Sequence, residues 1–251
     1  MADTIAVLSL KGGTGKTTTV RTLADVLRQV GLQVLTIDLD PQGNLSDYFD
    51  VPADASPTVA DVLSGDAKAK DAIHDGIIPS ALNLADVERA LSGKMGREVV
   101  LKKALKDLRK AYDVILIDCP PALGLLTVNG LVAADWALVS SEAQYFALQG
   151  VNGAVELIEQ VREYYNDDLE LVGVLLNIAD MRTTHSRDAY TQLQEVFGEK
   201  VFASVIRSSI AYAESAEKAL SILEYRPDLG ADYLALADEV LSRIGRPQPL
   251  H

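Results

Sequence analysis

Short, nearly continuous apolar runs alternate along this chain with longer stretches in which apolar residues recur every three or four positions. The runs at 4–10, 32–37, 77–78, 114–117, 137–140, 171–176 and 201–206 have the pattern of strands buried from both sides. Between the first two, Val20, Leu23, Ala24 and Leu27 share one helical face, and Gly31 stops that helix. Leu101, Leu105 and Leu108 mark another helix, and a last one is expected near 231–244. The stretch 41–76 is turn-rich, with short helices expected around 59–63. Apolar strands alternating with amphipathic helices predict an α/β fold, a doubly wound, mostly parallel sheet with helices on both faces. With 251 residues, 48% of them hydrophobic, the chain can bury a full core as one domain, expected over 1–245 with a short frayed tail at 246–251.

The turn after the first strand carries the most chemistry. Residues 8–18 read Leu-Ser-Leu-Lys-Gly-Gly-Thr-Gly-Lys-Thr-Thr, a strand entering a glycine-rich loop, with a helix starting at Gly15 or Lys16. Glycines let successive backbone N–H groups turn inward as an anion-binding nest, and the helix N-terminus adds its positive dipole end. Gly12, Gly13, Thr14, Gly15 and Thr18 are then expected around the phosphates of a nucleoside triphosphate. Lys16 offsets their charge, and the Thr17 hydroxyl reaches Mg²⁺. The common form of this loop needs a glycine where Leu10 stands; here a second lysine, Lys11, opens the loop instead.

Lys11-Gly12-Gly13-Thr14-Gly15-Lys16-Thr17 resembles the deviant Walker A motif of the ParA/MinD group of P-loop ATPases. Residues 36–44, Thr-Ile-Asp-Leu-Asp-Pro-Gln-Gly-Asn, are similar to the family's second motif, and 112–121 to its Walker B strand. Residues 144–150, Gln-Tyr-Phe-Ala-Leu-Gln-Gly, are similar to the segment after the next strand. The match is closest to ParA proteins of the short type. It implies the P-loop NTPase fold, Mg²⁺-dependent ATP hydrolysis and an ATP sandwich homodimer. It also implies a ParB-like centromere-binding or adaptor partner that stimulates hydrolysis, and the positioning of plasmid, chromosome or other cargo. No helix-turn-helix is expected before the first strand, so operator-specific repression is not.

Three aspartates complete the expected site. Asp118 closes an apolar strand, where an ionised carboxylate needs a partner; Mg²⁺ reached through water is the natural one. Asp38 and Asp40 stand two apart near a strand end, so both side chains can face the phosphates. The resemblance implies that Asp40 orients the attacking water, that Asp38 sits nearer the metal, and that Lys11 crosses a two-fold interface to phosphate held by the other subunit. The expected catalytic set is therefore Lys11, Lys16 and Asp40, and the metal set Thr17, Asp38 and Asp118. On the base side, Asn177 ends a strand; its amide can pair with adenine or simply close a turn. The loop Ile206-Arg207-Ser208-Ser209 lacks the family's proline and asparagine, and Arg207 is its candidate cofactor contact.

A net charge of −13 makes any nucleic-acid surface a local patch on an acidic body. Many DNA-binding ParA proteins carry an arginine shortly after that loop and a glycine-lysine pair further on. Here residues 211–218 keep only Lys218. Arg182, Arg187, Lys200, Arg207, Lys218 and Arg226 are the candidates for a replacement patch that binds DNA without sequence preference. A second candidate is the basic run 94–110, whose Lys102, Lys103, Lys106, Arg109 and Lys110 are expected opposite the leucine face; a solvated helix exterior is the plainer reading. The alternative to a DNA-binding ATPase is a nucleotide-gated scaffold that recruits a protein partner.

Other classes fit poorly. No run approaches a membrane span, and Asp232, Asp238 and Glu239 on the last helix would repel anionic lipid. The single Cys119 cannot form an internal disulfide, and a dimer would offer an iron–sulfur cluster two thiols rather than four. A cytoplasmic protein, nucleoid-associated when bound to ATP, is expected.

Overall fold

The computed structural model describes residues 1–144 and 147–246. Its strands are β1 (Asp3–Leu8), β2 (Val34–Asp38), β3 (Ile77–Ile78), β4 (Val114–Asp118), β5 (Trp136–Glu142), β6 (Glu170–Ala179) and β7 (Val201–Arg207). The helices are α1 (Lys16–Gln29), α2 (Asn44–Tyr48), α3 (Val59–Ser64), α4 (Leu84–Leu91), α5 (Val100–Leu105) and α6 (Leu125–Ala133). They continue as α7 (Ala147–Tyr164), α8 (Thr184–Phe197), α9 (Ala211–Glu217), α10 (Ile222–Tyr225) and α11 (Pro227–Arg243). All seven strands are parallel, in the order β3-β2-β4-β1-β5-β6-β7.

Alternation along the strands sorts the core into two layers. Ile5 and Val7 of β1 face α1, α2 and α9–α11, packing with Leu23, Leu27, Phe202, Tyr233 and Leu236. Ala6 and Leu8 face the opposite way, into a layer built from α3–α8 with Leu63, Leu105, Leu131 and Ile158. Both faces of the sheet are thus covered, which is why its strands read as continuous apolar runs.

The order of the central strands builds the site. β2, β4 and β1 lie side by side, with Asp38 in register with Asp118, and Val7 with Asp118. Loops far apart in sequence therefore meet along one edge, beyond the carboxyl ends of parallel strands, where such sheets bind ligands.

Some expected boundaries move. β6 runs on to Ala179, and Ile178 within it has φ of 53°, a left-handed value uncommon for a β-branched residue. The helix expected through Leu108 ends at Leu105 and resumes as a 3₁₀ turn at Leu108–Lys110, although all three leucines are buried as expected. That break turns Arg109 inward, where it donates to Asp135 and to the carbonyl of Ala2, so the basic run is no uninterrupted exposed stripe. Arg246 does not belong to a frayed tail. Its guanidinium meets Asp3 and the Met1 carbonyl, which holds Arg246 against the start of β1. The rest of the expected tail lies outside the described residues, as do Tyr145 and Phe146 of the 144–150 motif.

Candidate nucleotide site

The loop after β1 turns tightly at Gly13 and Gly15, with φ of 76° and 77°, and delivers Lys16 as the first residue of α1. Its carbonyls are tied down from below. Ser140 Oγ donates to the Thr14 carbonyl at 2.7 Å, and Asn177 Nδ2 lies 3.4 Å from the Gly15 carbonyl. An inward-facing nest of amides needs its carbonyls satisfied elsewhere; Ser140 does that for Thr14, and the Thr19 amide and hydroxyl, with Asn177 behind them, do it for Gly15. Around the loop opens a cavity of about 660 Å³, lined by Gly12, Gly13, Thr14, Gly15, Lys16, Thr17 and Thr18, with Asp40 and Gln42 from the loop after β2.

Thr17 Oγ1 donates to Asp118 Oδ2 at 2.7 Å. The other carboxylate oxygen, Asp118 Oδ1, is buried and has no hydrogen-bond partner among the described residues. Burial, and then the neighbouring Asp38, push the Asp118 carboxyl well above the usual range; the Thr17 hydrogen bond and Lys16 oppose this. A buried carboxylate oxygen left unpaired beside a threonine hydroxyl is a donor set that suits Mg²⁺, which keeps several waters and takes few protein ligands. No group of three or more His, Cys, Asp or Glu side chains among the described residues is arranged to hold a metal unaided. Any Mg²⁺ here therefore depends on nucleotide phosphates and water for the rest of its shell.

Asp38 is fully buried and differently employed. Its Oδ1 accepts from the Asp40 amide at 3.0 Å; its Oδ2 accepts from the Ser46 amide and hydroxyl at 2.9 and 2.8 Å. Burial raises its pKa against those hydrogen bonds. With both oxygens engaged, Asp38 serves this arrangement as the brace of the Asp40 turn, not as a ready metal ligand. Asp40 borders the cavity, and its Oδ1 accepts from the Gln42 amide at 3.0 Å.

Lys11 stands at the rim with its side chain 57% exposed, reaching Glu142 Oε2 at 3.2 Å and the Gln144 side chain. It is thus outward-facing, as expected, but engaged within its own chain.

The base-side expectations are corrected. Asn177 is 2% exposed; its amide faces Gly15, Thr19 and Ser140, and its Oδ1 accepts from the Ile178 amide. It supports the loop from beneath and presents no edge to a base. Arg207 lies outside this cavity, paired with Asp232 at 2.8 Å. The far wall is instead Tyr212, Ala213, Ala216 and Glu217 of α9, with Ile178 and Tyr48. Sequence reasoning missed these residues, along with Ser140 and Ser46, because nothing in the spacing of α9 marks it as a pocket wall.

The candidate cations separate in space. Arg182, Arg207 and Arg226 line one cleft beyond β6 and β7. Lys200 is at the opposite end of β7, bonded to the Leu171 carbonyl, and cannot join them. Lys218 lies over the Tyr225 ring and donates to its hydroxyl. Arg187 donates to the carbonyls of Met181 and Arg182.

Residues 2–171 match a family model described as an AAA domain. Over 249 residues the chain is 37% identical to the sporulation initiation inhibitor protein Soj of Bacillus subtilis, covering 96% of this chain and 98% of that protein. The chain belongs to the ParA/Soj-type P-loop ATPases. Solved structures agree with this family's fold. McdA(D38A) of Cyanothece, solved with ATP, superposes with a TM-score of 0.88 at 26% identity, covering 98% of each chain. Cobyrinic acid a,c-diamide synthase of Mycobacterium smegmatis, with bound ADP and magnesium, superposes at 0.79 with 36% identity, covering 87% of this chain and 92% of that one. This ParA/Soj-type chain carries its candidate nucleotide-site residues at and just beyond the carboxyl ends of β1, β2 and β4. Among the described residues no helix is long and apolar enough to cross a membrane.

Proposed function

We propose that this protein is a Mg²⁺-dependent ATPase that dimerises on ATP, binds DNA without sequence preference and positions a DNA or other large cargo in the cytoplasm. A ParB-like partner would stimulate its hydrolysis. The observation that carries the ATPase reading is the Thr17–Asp118 pair beneath a lysine-bearing glycine loop, its second carboxylate oxygen buried and unpaired among the described residues. In this reading Thr17 and Asp118 would hold the metal, and Lys16 would offset phosphate charge. When bound, Mg²⁺ would supply neutralisation of phosphate charge. Asp40 orients the attacking water and Asp38 fixes the Asp40 turn. Lys11 leaves Glu142 to reach the nucleotide of a second subunit, so assembly reads the γ-phosphate.

The test is phosphate release with ATP and Mg²⁺, alongside sedimentation with ATP and with ADP. Turnover that requires Mg²⁺ and a dimer formed with ATP only are expected. Absence of both would remove the reading. One observation favours a second reading, a scaffold that ignores DNA: Arg182, Arg207 and Arg226 are each tied to an aspartate. A salt-dependent shift of duplex DNA by the ATP-bound form separates the two.

A further inference from the structure

The cleft beyond the ends of β6 and β7 has a volume of about 830 Å³ and brings together Arg182 from the turn after β6, Arg207 from the end of β7 and Arg226 from the junction of α10 and α11. Each guanidinium is already occupied. Arg182 Nε and Nη2 meet the two oxygens of Asp180 at 2.9 and 2.8 Å. Arg226 Nε and Nη2 meet those of Asp228 at 2.8 and 2.9 Å. Arg207 Nε meets Asp232 at 2.8 Å, and its Nη2 meets the Asp228 carbonyl. Each of the three cations is thus paired with an anion, and the cleft offers little free positive charge to draw a polyanion onto an acidic body.

The geometry of the pairs matters as much as their charge. Two are two-pronged, the form in which a guanidinium binds either a carboxylate or a phosphate. The pairs also differ in accessibility. Asp180 is 39% exposed and Asp228 55%, whereas Asp232 is 16% exposed. Asp232 therefore anchors Arg207 from behind the cleft, while Asp180 and Asp228 line it and are partners that a phosphate could replace from solvent.

We propose that this cleft is a masked DNA-backbone site, in which Asp180 and Asp228 occupy the arginine forks that phosphates would otherwise take. The inference rests on the DNA-binding reading above and adds its residues and its control. Binding exchanges a carboxylate for a phosphate at each fork, so one subunit gains little from it. Two clefts joined in an ATP dimer act on one duplex, and the second contact then forms at high effective concentration. The masks thereby make DNA affinity depend on dimerisation, and hence on the nucleotide. Arginines left free would hold DNA in every nucleotide state.

The experiment is fluorescence anisotropy with a labelled duplex of arbitrary sequence, across a salt series, with ATP and with ADP, on the whole chain. Asp180→Asn with Asp228→Asn keeps side-chain shape and the Asp180 turn that accepts the Arg182 amide. That double variant is expected to bind at least tenfold more tightly with ATP, and to bind measurably with ADP. Adding Arg182→Ala and Arg226→Ala should abolish the gain. ATP-dependent dimerisation, followed by sedimentation, should be unchanged throughout. If the parent chain binds DNA with ATP and the asparagine variant binds no better, the masking is wrong while the DNA reading stands. A gain that survives loss of both arginines would place the effect in overall charge and overturn the cleft. If neither chain binds DNA at low salt in any nucleotide state, the DNA reading fails and the cleft proposal with it.

Discussion

Ser80 Oγ donates to the main-chain carbonyl of Asp40 at 2.6 Å. The Ser80 amide donates to Ser46 Oγ at 2.9 Å, and that hydroxyl donates in turn to Asp38 at 2.8 Å. One serine just past the edge strand β3 therefore latches the carbonyl of the Asp40 turn, while Asp38 holds its amide. Asp40 can orient a water only if this turn is fixed.

Ser80→Ala removes the latch without touching the phosphate loop. The expected result is a fall in kcat of about five- to thirtyfold, on the scale of one lost hydrogen bond of about 1–2 kcal/mol, with KM for ATP nearly unchanged. Ser80→Thr, which keeps the hydroxyl, should recover most of the rate. A raised KM with normal kcat in steady-state phosphate release would assign the network to binding instead.

Asp40→Ala tests the residue that the latch serves. Turnover should drop roughly 10²-fold or more, the scale of a positioned general base. The ATP dimer should persist, because Thr17, Asp118 and Lys16 are untouched. Hydrolysis near the parent rate would reduce Asp40 to a loop cap for the Gln42 amide.

The two lysines of the loop should separate cleanly. Lys16, 6% exposed and the first residue of α1, faces the cavity. Lys16→Ala should weaken ATP binding at least tenfold, about 1.4 kcal/mol, by calorimetry. Lys11 lies at the rim on Glu142. Lys11→Ala should leave nucleotide binding by the single subunit nearly intact and abolish the ATP-dependent dimer in sedimentation.

Asp38 and Asp118 give the nucleotide-free protein a definite pH dependence. Both carboxyls titrate above their ordinary range in the folded chain, chiefly because they are buried. From about pH 4, the unperturbed carboxylate value, up toward neutrality, the folded state therefore binds more protons than the unfolded state. Stability must fall as pH rises through that window. Mg²⁺ with nucleotide favours the ionised Asp118 and should reverse the trend near neutrality. Thermal unfolding between pH 5 and 8, with and without Mg·ADP, reads both slopes. A nucleotide-free protein that grows more stable with rising pH would contradict the burial of this pair.

The phosphate end of the site was legible in the sequence because its chemistry is carried by contiguous residues. Residues 11–18 fix their own loop, and the strand ends at Asp38 and Asp118 come from apolar runs that any parallel sheet would bury. The base end was not legible. Whether Asn177 looks up at a ligand or down at Gly15 depends on β5 and α1 packing around it, which no local pattern encodes. Arg207 failed for a related reason: Asp232, 25 residues away, holds its guanidinium outside the cavity. Lys200 and Arg207 bracket one strand, so their nearness in sequence placed them at opposite ends of the sheet.

Asn177 provides a test that separates support from recognition. Its Nδ2 lies 3.1 Å from Thr19 Oγ1 and 3.4 Å from both the Gly15 carbonyl and Ser140 Oγ, all in a buried space. Asn177→Ala removes the donor to Thr19 Oγ1 and the acceptor of the Ile178 amide, at a cost of about 0.5–1.5 kcal/mol for each lost hydrogen bond. The melting temperature should fall, and ATP and GTP should lose affinity together, because the loop beneath their common phosphates loosens. A residue that read the base would behave oppositely, with stability kept and the ATP-to-GTP preference changed. Gly15→Ala attacks the same contact from the other side. Its Cβ would stand 2.6 Å from Asn177 Nδ2 at a φ of 77°, so it should destabilise at least as much and abolish tight nucleotide binding. Competition calorimetry with ATP and GTP, alongside thermal unfolding of both variants, settles which part Asn177 plays.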